Sequence, residues 1–380
     1  MTTKPGPLAV ADARALDATV ERLEVSAYTV PTDGPESDGT LRWDSTTLVL
    51  VEAHAAGRTG LGYTYSGVAA ARLIHDELVP AVIGEGALAV PRAWEAMHRR
   101  IRNLGRPGVA SCALAAVDIA LWDLAAKLLE LPLVTLLGAT RESIPIYGSG
   151  GFTSYPIERL QRQLAGWVEQ GIPRVKMKVG RDPEADLARV RAARQAIGAG
   201  TELFVDANGA FDPRGAAVFA EWIAGEGVSW FEEPVSSDDL DGLALLRRRL
   251  PTGMAVAAGE YGYDVVYFRR LLEAGAVDVL QADVGRCAGV SELLRVAGLA
   301  AGFLVPLSAH TAPALHAHVC CAIAPAIHLE WFHDHVRIER LLFDGVLEPR
   351  GGALVPDRSR PGLGIELKRR DAARFRVAGS

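Results

Sequence analysis

Cysteine is scarce: four residues in 380, Cys112, Cys287, Cys320 and Cys321. None has CxxC spacing, all lie among apolar neighbours, and two are adjacent, which is poor for bridging. Buried reduced thiols in a cytoplasmic protein are expected rather than a disulfide framework. An excess of positive charge is also missing, since 40 Lys and Arg stand against 46 Asp and Glu, for a net charge of −6. No basic face is available for nucleic acid or for an acidic membrane surface. The clusters Arg247-Arg248-Arg249 and Lys368-Arg369-Arg370 read as solvated faces. No run of 18 uncharged apolar residues occurs, and the nearest approach, around 296–309, holds Gly and Pro. The N-terminus carries no basic segment followed by an apolar run, so no secretory signal is expected.

What is present is an ordinary globular composition, 49% apolar and 23% charged, with 39 Gly and 21 Pro. A chain of this length can bury a core without metal or disulfide staples. Residues 1–18 are small and polar, and a frayed tail is expected. Alternation then predicts strands from Val20 and over 46–55, separated by PTDGPESDGTLRWDS (31–45), a polar segment expected to be a functional flap or disordered. Helical periodicity follows over 69–136 and is densest in ASCALAAVDIALWDLAAKLL (110–129). An α+β domain over 19–140 results.

From 141 the rhythm becomes strand–helix. Strands are predicted at 144–150, 174–179, 203–208, 229–234, 254–260, 277–283, 303–310 and 327–331, with Asp212 and Pro213 opening one of the helices between them. Eight such repeats favour an α/β fold of the (β/α)8 barrel type over a doubly wound sheet.

Active sites of such barrels form at the C-terminal strand ends. There the ionisable residues fall in series: Lys176 and Lys178, Asp206, Glu232 with Glu233, Glu260, Asp283, His310 and Glu330, each 20 to 28 residues from the last strand's. Singly, such acids cap helices or pair with arginine. Crowded together, Asp206, Glu232 and Glu260 would repel unless a cation neutralised them, and an all-oxygen set suits Mg²⁺. Lys176 and Lys178 share a parity, and their mutual repulsion is expected to lower one toward a pKa of about 7.5, roughly three units or about 4 kcal/mol below an ordinary lysine. Asp283 and His310 fall on adjacent strands, where the carboxylate would fix the imidazole tautomer. Lys178 and His310 would then present two bases to opposite faces of one carbon. Other signals are weaker. His316 and His318 diverge on a helix, and His328, His333 and His335 match no known zinc spacing. Tyr261 and Trp331 read as packing or pocket walls. GSGG (148–151) could cradle a phosphate, but no GxGxxG or GK[ST] accompanies it.

The runs VKMKVG, FVDANGAF, WFEEPV, AAGEYGYD, LQADVGRCAGVSE and PLSAH, in this order, resemble the enolase superfamily, mandelate racemase subgroup. ASCALAAVDIALWDLAAK resembles that family's capping-domain signature. The resemblance covers the chain from about residue 19 onward. It implies a modified TIM barrel, (β/α)7β, over 141–345, an α+β capping domain over 19–140, and a segment 346–380 that returns to the cap. It further implies Asp206, Glu232 and Glu260 as Mg²⁺ ligands, and Lys178 as a base with Lys176 as its pKa-lowering neighbour. His310 would be the opposite base with Asp283 as its partner, Glu330 would hydrogen-bond the substrate carboxylate, and Asn208 would stand behind the site. Ala288 in CAGV (287–290) departs from the paired glycines of relatives and is expected to narrow that loop.

The implied chemistry is Mg²⁺-dependent removal of the proton α to a carboxylate, through a metal-stabilised enediolate. The flap and the GYTYSG loop (62–67) would set specificity. The flap's Asp33, Glu36, Asp38, Arg42 and Asp44 favour a polyhydroxylated substrate over an aromatic one. An acid-sugar dehydratase acting on a small-molecule carboxylate is therefore expected, with a racemase or epimerase of a 2-hydroxy acid as the alternative. A Schiff-base aldolase and a non-catalytic sugar-acid binder are weaker readings. A cytoplasmic homo-oligomer is expected.

Overall fold

The computed structural model describes residues 17–379. Residues 1–16, most of the expected frayed tail, lie outside the described residues. Ala18 is not frayed: its carbonyl accepts from the Ala87 amide at 2.8 Å.

Alternating and β-branched residues build an antiparallel sheet of β1 (Arg22–Ser37), β2 (Arg42–Ala55) and β3 (Arg58–Tyr65). On β2 the two parities feed different cores. Val49, Val51 and Ala53 join the helical side, while Leu48 and Leu50 join the large cluster that continues into the barrel. A sheet buried on both faces reads as a continuous apolar run, as LVLV does. The expected flap 31–45 is mostly strand: β1 runs to Ser37 and β2 restarts at Arg42, with a register shift between Pro31 and Glu36. Asp38 Oδ1 closes the tip by accepting from the amides of Thr40 and Leu41 at 2.6 and 2.7 Å. Likewise GYTYSG is strand β3 as far as Tyr65, and only Ser66 and Gly67 are loop.

The predicted helical stretch 69–136 breaks into several pieces, the longest being the helix Val109–Leu128. It is long and apolar enough to cross a membrane, but it is buried within the protein. Its small residues permit close contact with β3, because a Cβ on Gly62 would lie 2.3 Å from the Ala116 carbonyl oxygen. Its two buried acids face inward to donors. Asp118 accepts from the Ser291 amide and hydroxyl at 2.9 and 2.6 Å, and Asp123 from the amides of Leu61 and Leu363 at 2.7 and 2.6 Å. The C-terminal residues return to the sheet, where the Val377 amide donates to Ala27 at 2.8 Å.

Eight parallel strands close the barrel: β4 (Ile144–Gly150), β5 (Arg174–Lys178), β6 (Glu202–Asp206), β7 (Val228–Glu232), β8 (Ala255–Ala258), β9 (Val279–Ala282), β10 (Leu307–Ala309) and β11 (Ala326–Phe332). Pairing of β11 with β4 completes the ring. A helix follows each strand, and Asp182, Asp212, Asp239 and Asp264 cap four of them by accepting from amides in the first turn. Tyr147, Phe204 and Trp230 fill the barrel interior as an aromatic layer. Two residues further along β6 and β7, on the same inward face, stand Asp206 and Glu232. All four thiols are free and buried.

Candidate active site

Strand register assembles the charged centre. Lys178 lies level with Asp206, and Asp206 with Glu232, across neighbouring parallel strands. Glu260 joins them from just beyond β8, and one ligand atom from each of Asp206, Glu232 and Glu260 lies within 4.8 Å of the other two. All three are buried. Lys176 Nζ contacts Glu232 Oε1 at 2.5 Å, Glu330 Oε1 at 2.9 Å and Asp206 Oδ2 at 3.5 Å. Lys178 Nζ donates to Asp206 Oδ2 at 2.5 Å and to Asn208 Oδ1 at 3.0 Å. The Asn208 amide in turn donates to Asp206 Oδ1 at 2.9 Å, with Asn208 in a left-handed conformation at φ 47°.

On the other side, His310 Nδ1 meets Asp283 Oδ2 at 2.7 Å, and its Nε2 lies 3.1 Å from Glu260 Oε2. Glu330 accepts from the Thr311 amide at 3.1 Å. Thus, of the nine residues singled out on the strand ends, all but Glu233 share these contacts, although Glu260, Asp283 and His310 sit one or two residues past their strands.

The electrostatics depart from expectation at the lysines. Burial lowers both, but the surrounding carboxylates outweigh burial and hold Lys176 and Lys178 above an ordinary lysine. Mutual repulsion is present, yet Glu232 and Glu330 at Lys176, and Asp206 at Lys178, overcome it. Glu232 is pushed up to about 8 by burial and by the Asp206 charge. His310 rises to about 9, the pull of Glu260 and the bond to Asp283 overcoming burial. Burial opposes ionisation of Asp283, but the His310 bond holds it well below the carboxylate range.

A cavity of about 370 Å³ opens above this centre, with Lys178 and His310 both on its wall. The hairpin contributes Asp38, Leu41 and Trp43, and the β3 end contributes Tyr65. Tyr261 is a wall, as one of its two readings had it; Trp331 is buried in the core. Arg286, given no role in the sequence, joins the site, and His335 and Glu233, noted there without a place in this centre, lie beside it. Arg286 lies over the Tyr261 ring at 4.9 Å and 3.3 Å from Glu260 Oε1. His335 stacks on Tyr65 with ring centroids 3.4 Å apart. Glu233 is a further buried carboxylate, whose Oε1 has no hydrogen-bond partner. Arg286 and Glu233 were visible as charges inside the quoted runs; nothing near His335 in the sequence signals its partner. In GSGG, Gly148 packs against Trp167, where a Cβ would come 2.5 Å from the ring. Ala288 occupies a left-handed conformation at φ 63°, and its carbonyl accepts from Trp94 Nε1 at 2.8 Å.

Residues 27–138 match the mandelate racemase/muconate lactonizing enzyme N-terminal domain, and residues 159–372 match the enolase C-terminal domain-like family. The chain belongs to the mandelate racemase/muconate lactonizing enzyme family of the enolase superfamily. This family member is 31% identical over 359 residues to the 3,6-anhydro-alpha-L-galactonate cycloisomerase of Streptomyces coelicolor, covering 92% of this chain and 97% of that one. Among solved structures it is similar to a mandelate racemase/muconate lactonizing enzyme-like protein from Rubrobacter xylanophilus, with TM-score 0.93, 59% identity, and coverage of 94% and 100%. It is also similar to an L-talarate dehydratase from a Polaromonas species complexed with Mg and L-glucarate, with TM-score 0.85, 30% identity, and coverage of 95% and 98%.

Proposed function

We propose that this enzyme is an acid-sugar dehydratase that removes the proton α to a carboxylate with Mg²⁺ as cofactor. The donor set fits that ion: three buried carboxylates from neighbouring strands, offering only oxygen, meet within 4.8 Å. Asp206, Glu232 and Glu260 would hold it. When bound, Mg²⁺ supplies positive charge to the substrate's carboxylate oxygens, easing ionisation of the α-carbon.

The side chains do the rest. Lys178 Nζ takes the α-proton, and Lys176 beside it opposes protonation once the Asp206 charge is engaged elsewhere. Protonated His310 donates from Nε2 to the departing β-hydroxyl, which leaves as water. The resulting enol tautomerises to a 2-keto acid, so the net change is loss of one water. Asp283 holds the imidazole through Nδ1 and supports its positive charge. Glu330, ion-paired to Lys176, orients the substrate carboxylate in this reading.

The observation that carries the proposal is the placing of Lys178 and the His310–Asp283 pair on the wall of one cavity around the carboxylate trio. The polar wall, with Asp38, Ser45, Thr46, Asn208 and Arg286, favours a hydroxylated substrate. The same two bases also fit inversion of the α-carbon, which makes racemisation or epimerisation the second reading. A panel of acid sugars and 2-hydroxy acids in deuterated buffer, followed by proton NMR, separates them. Keto-acid formation supports dehydration, inversion with deuterium uptake supports the second reading, and no exchange with any of them overturns both. Association of copies of the chain and residence in the cytoplasm belong to the same proposal, tested by sedimentation velocity and cell fractionation.

A further inference from the structure

Outside the barrel centre, two side chains of one strand meet a third from some 300 residues away where the hairpin rests on the barrel. Asp33 and Glu36 come from β1, and His333 is the first residue of the helix His333–Leu342 that follows β11. One ligand atom from each lies within 4.8 Å of the other two. His333 Nε2 is 3.0 Å from Asp33 Oδ2. The second oxygen of Asp33 accepts from Arg159 Nη2 at 2.8 Å, and Glu36 Oε2 accepts from Trp43 Nε1 at 2.8 Å. Each carboxylate therefore has one oxygen anchored by an outer donor, the arrangement that orients metal ligands. Glu36 is only 1% exposed, yet its Oε1 has no hydrogen-bond partner. A buried carboxylate oxygen without a donor is costly, and the charges of Asp334 and Asp33 beside it add to that cost. Asp33 and His333 also border a surface hollow, which gives an ion a path from solvent.

We propose that Asp33, Glu36 and His333 bind a divalent transition-metal ion, with Zn²⁺ as the fitting occupant. An imidazole with two carboxylates is a borderline donor set, unlike the all-oxygen trio of the barrel. Tetrahedral bonds of about 2.0 to 2.2 Å put neighbouring donors roughly 3.4 Å apart, close to the 3.0 Å between His333 Nε2 and Asp33 Oδ2. Glu36 closes the remaining distance. Such an ion links the hairpin to the end of the barrel. Trp43 on that hairpin and Phe332 beside His333 both line the active cavity. The ion therefore ties the cavity's cover to its wall and slows substrate exchange.

The test is metal retention after dialysis of the full chain against Zn²⁺ with Mg²⁺ in excess, counted by elemental analysis. His333→Ala, a change at a half-buried residue, should retain one Zn²⁺ per chain fewer than the wild type, and Glu36→Gln the same. That difference should persist in a Glu232→Gln background, where the carboxylate trio is broken. Zn²⁺ should also raise the Tm of the wild type more than that of His333→Ala. Equal retention and equal Tm shifts in wild type and His333→Ala would overturn the proposal, leaving the reading of the barrel centre untouched.

Discussion

His310 and Asp283, 27 residues apart and just beyond adjacent strands, share a buried 2.7 Å hydrogen bond at the imidazole Nδ1. The bond leaves Nε2 as the working nitrogen and makes the ring a better base. Asp283→Asn keeps the shape but favours the other tautomer, so kcat should fall by roughly 10²- to 10⁴-fold. Steady-state kinetics alongside circular dichroism would check this; unchanged kcat in a folded variant would remove the pair from the chemistry.

Loss of either base should be more severe. Lys178→Ala and His310→Asn should each lower turnover by about 10³-fold or more, with the fold retained. Deuterium exchange at the α-carbon then separates their roles. For one substrate configuration, only one of the two variants should lose exchange, while both lose product.

The carboxylate trio makes a third expectation. Exhaustive chelation should abolish activity and Mg²⁺ should restore it. Glu232→Gln should weaken Mg²⁺ retention, measured by titration calorimetry. Full rates after verified metal removal would refute the assignment of Asp206, Glu232 and Glu260.

Contact between β3 and the helix Val109–Leu128 predicts a stability effect far from the chemistry. Gly62→Ala puts a methyl group 2.3 Å from backbone atoms of Ala116 and Ala120. Backbone must shift, and the cost should be roughly 3 kcal/mol. Urea denaturation would show it as a lower midpoint.

A buried histidine predicts a pH effect. Burial holds His318 down at about 4, well below an ordinary imidazole. Its folded-state pKa is depressed, so its stabilisation is present above the unfolded value near 6.5 and is lost as pH falls toward 4. The size is on the order of 3 kcal/mol. Comparing wild type with His318→Gln cancels the other titrating groups. The difference in unfolding free energy should shift in favour of the variant on going from pH 7 to pH 4.5. A pH-independent difference would show that His318 is not held neutral.

Much of the centre was legible along the chain. Parallel strands alternate with helices at a near-constant interval, so one ionisable residue per repeat marks one ring of a barrel. Strand parity likewise puts Lys176 with Lys178, and Phe204 with Asp206, on inward faces. The hairpin was misread because Gly, Pro and Asp in 31–45 signal a loop. Pairing of Glu36 with Trp43 and Ser37 with Arg42 carries the ladder past them. The lysines were misread because repulsion between near neighbours is visible locally. The carboxylates that outweigh it come from β6, β7 and β11.

By itself the sequence determined which residues carry charge at the strand ends and in what order, because backbone periodicity is a local property written residue by residue. Only the tertiary structure decided their protonation, the reach of Arg286 to Glu260, and the meeting of His333 with Asp33 across 300 residues. Those depend on burial and on through-space distance, which packing sets and chain order does not.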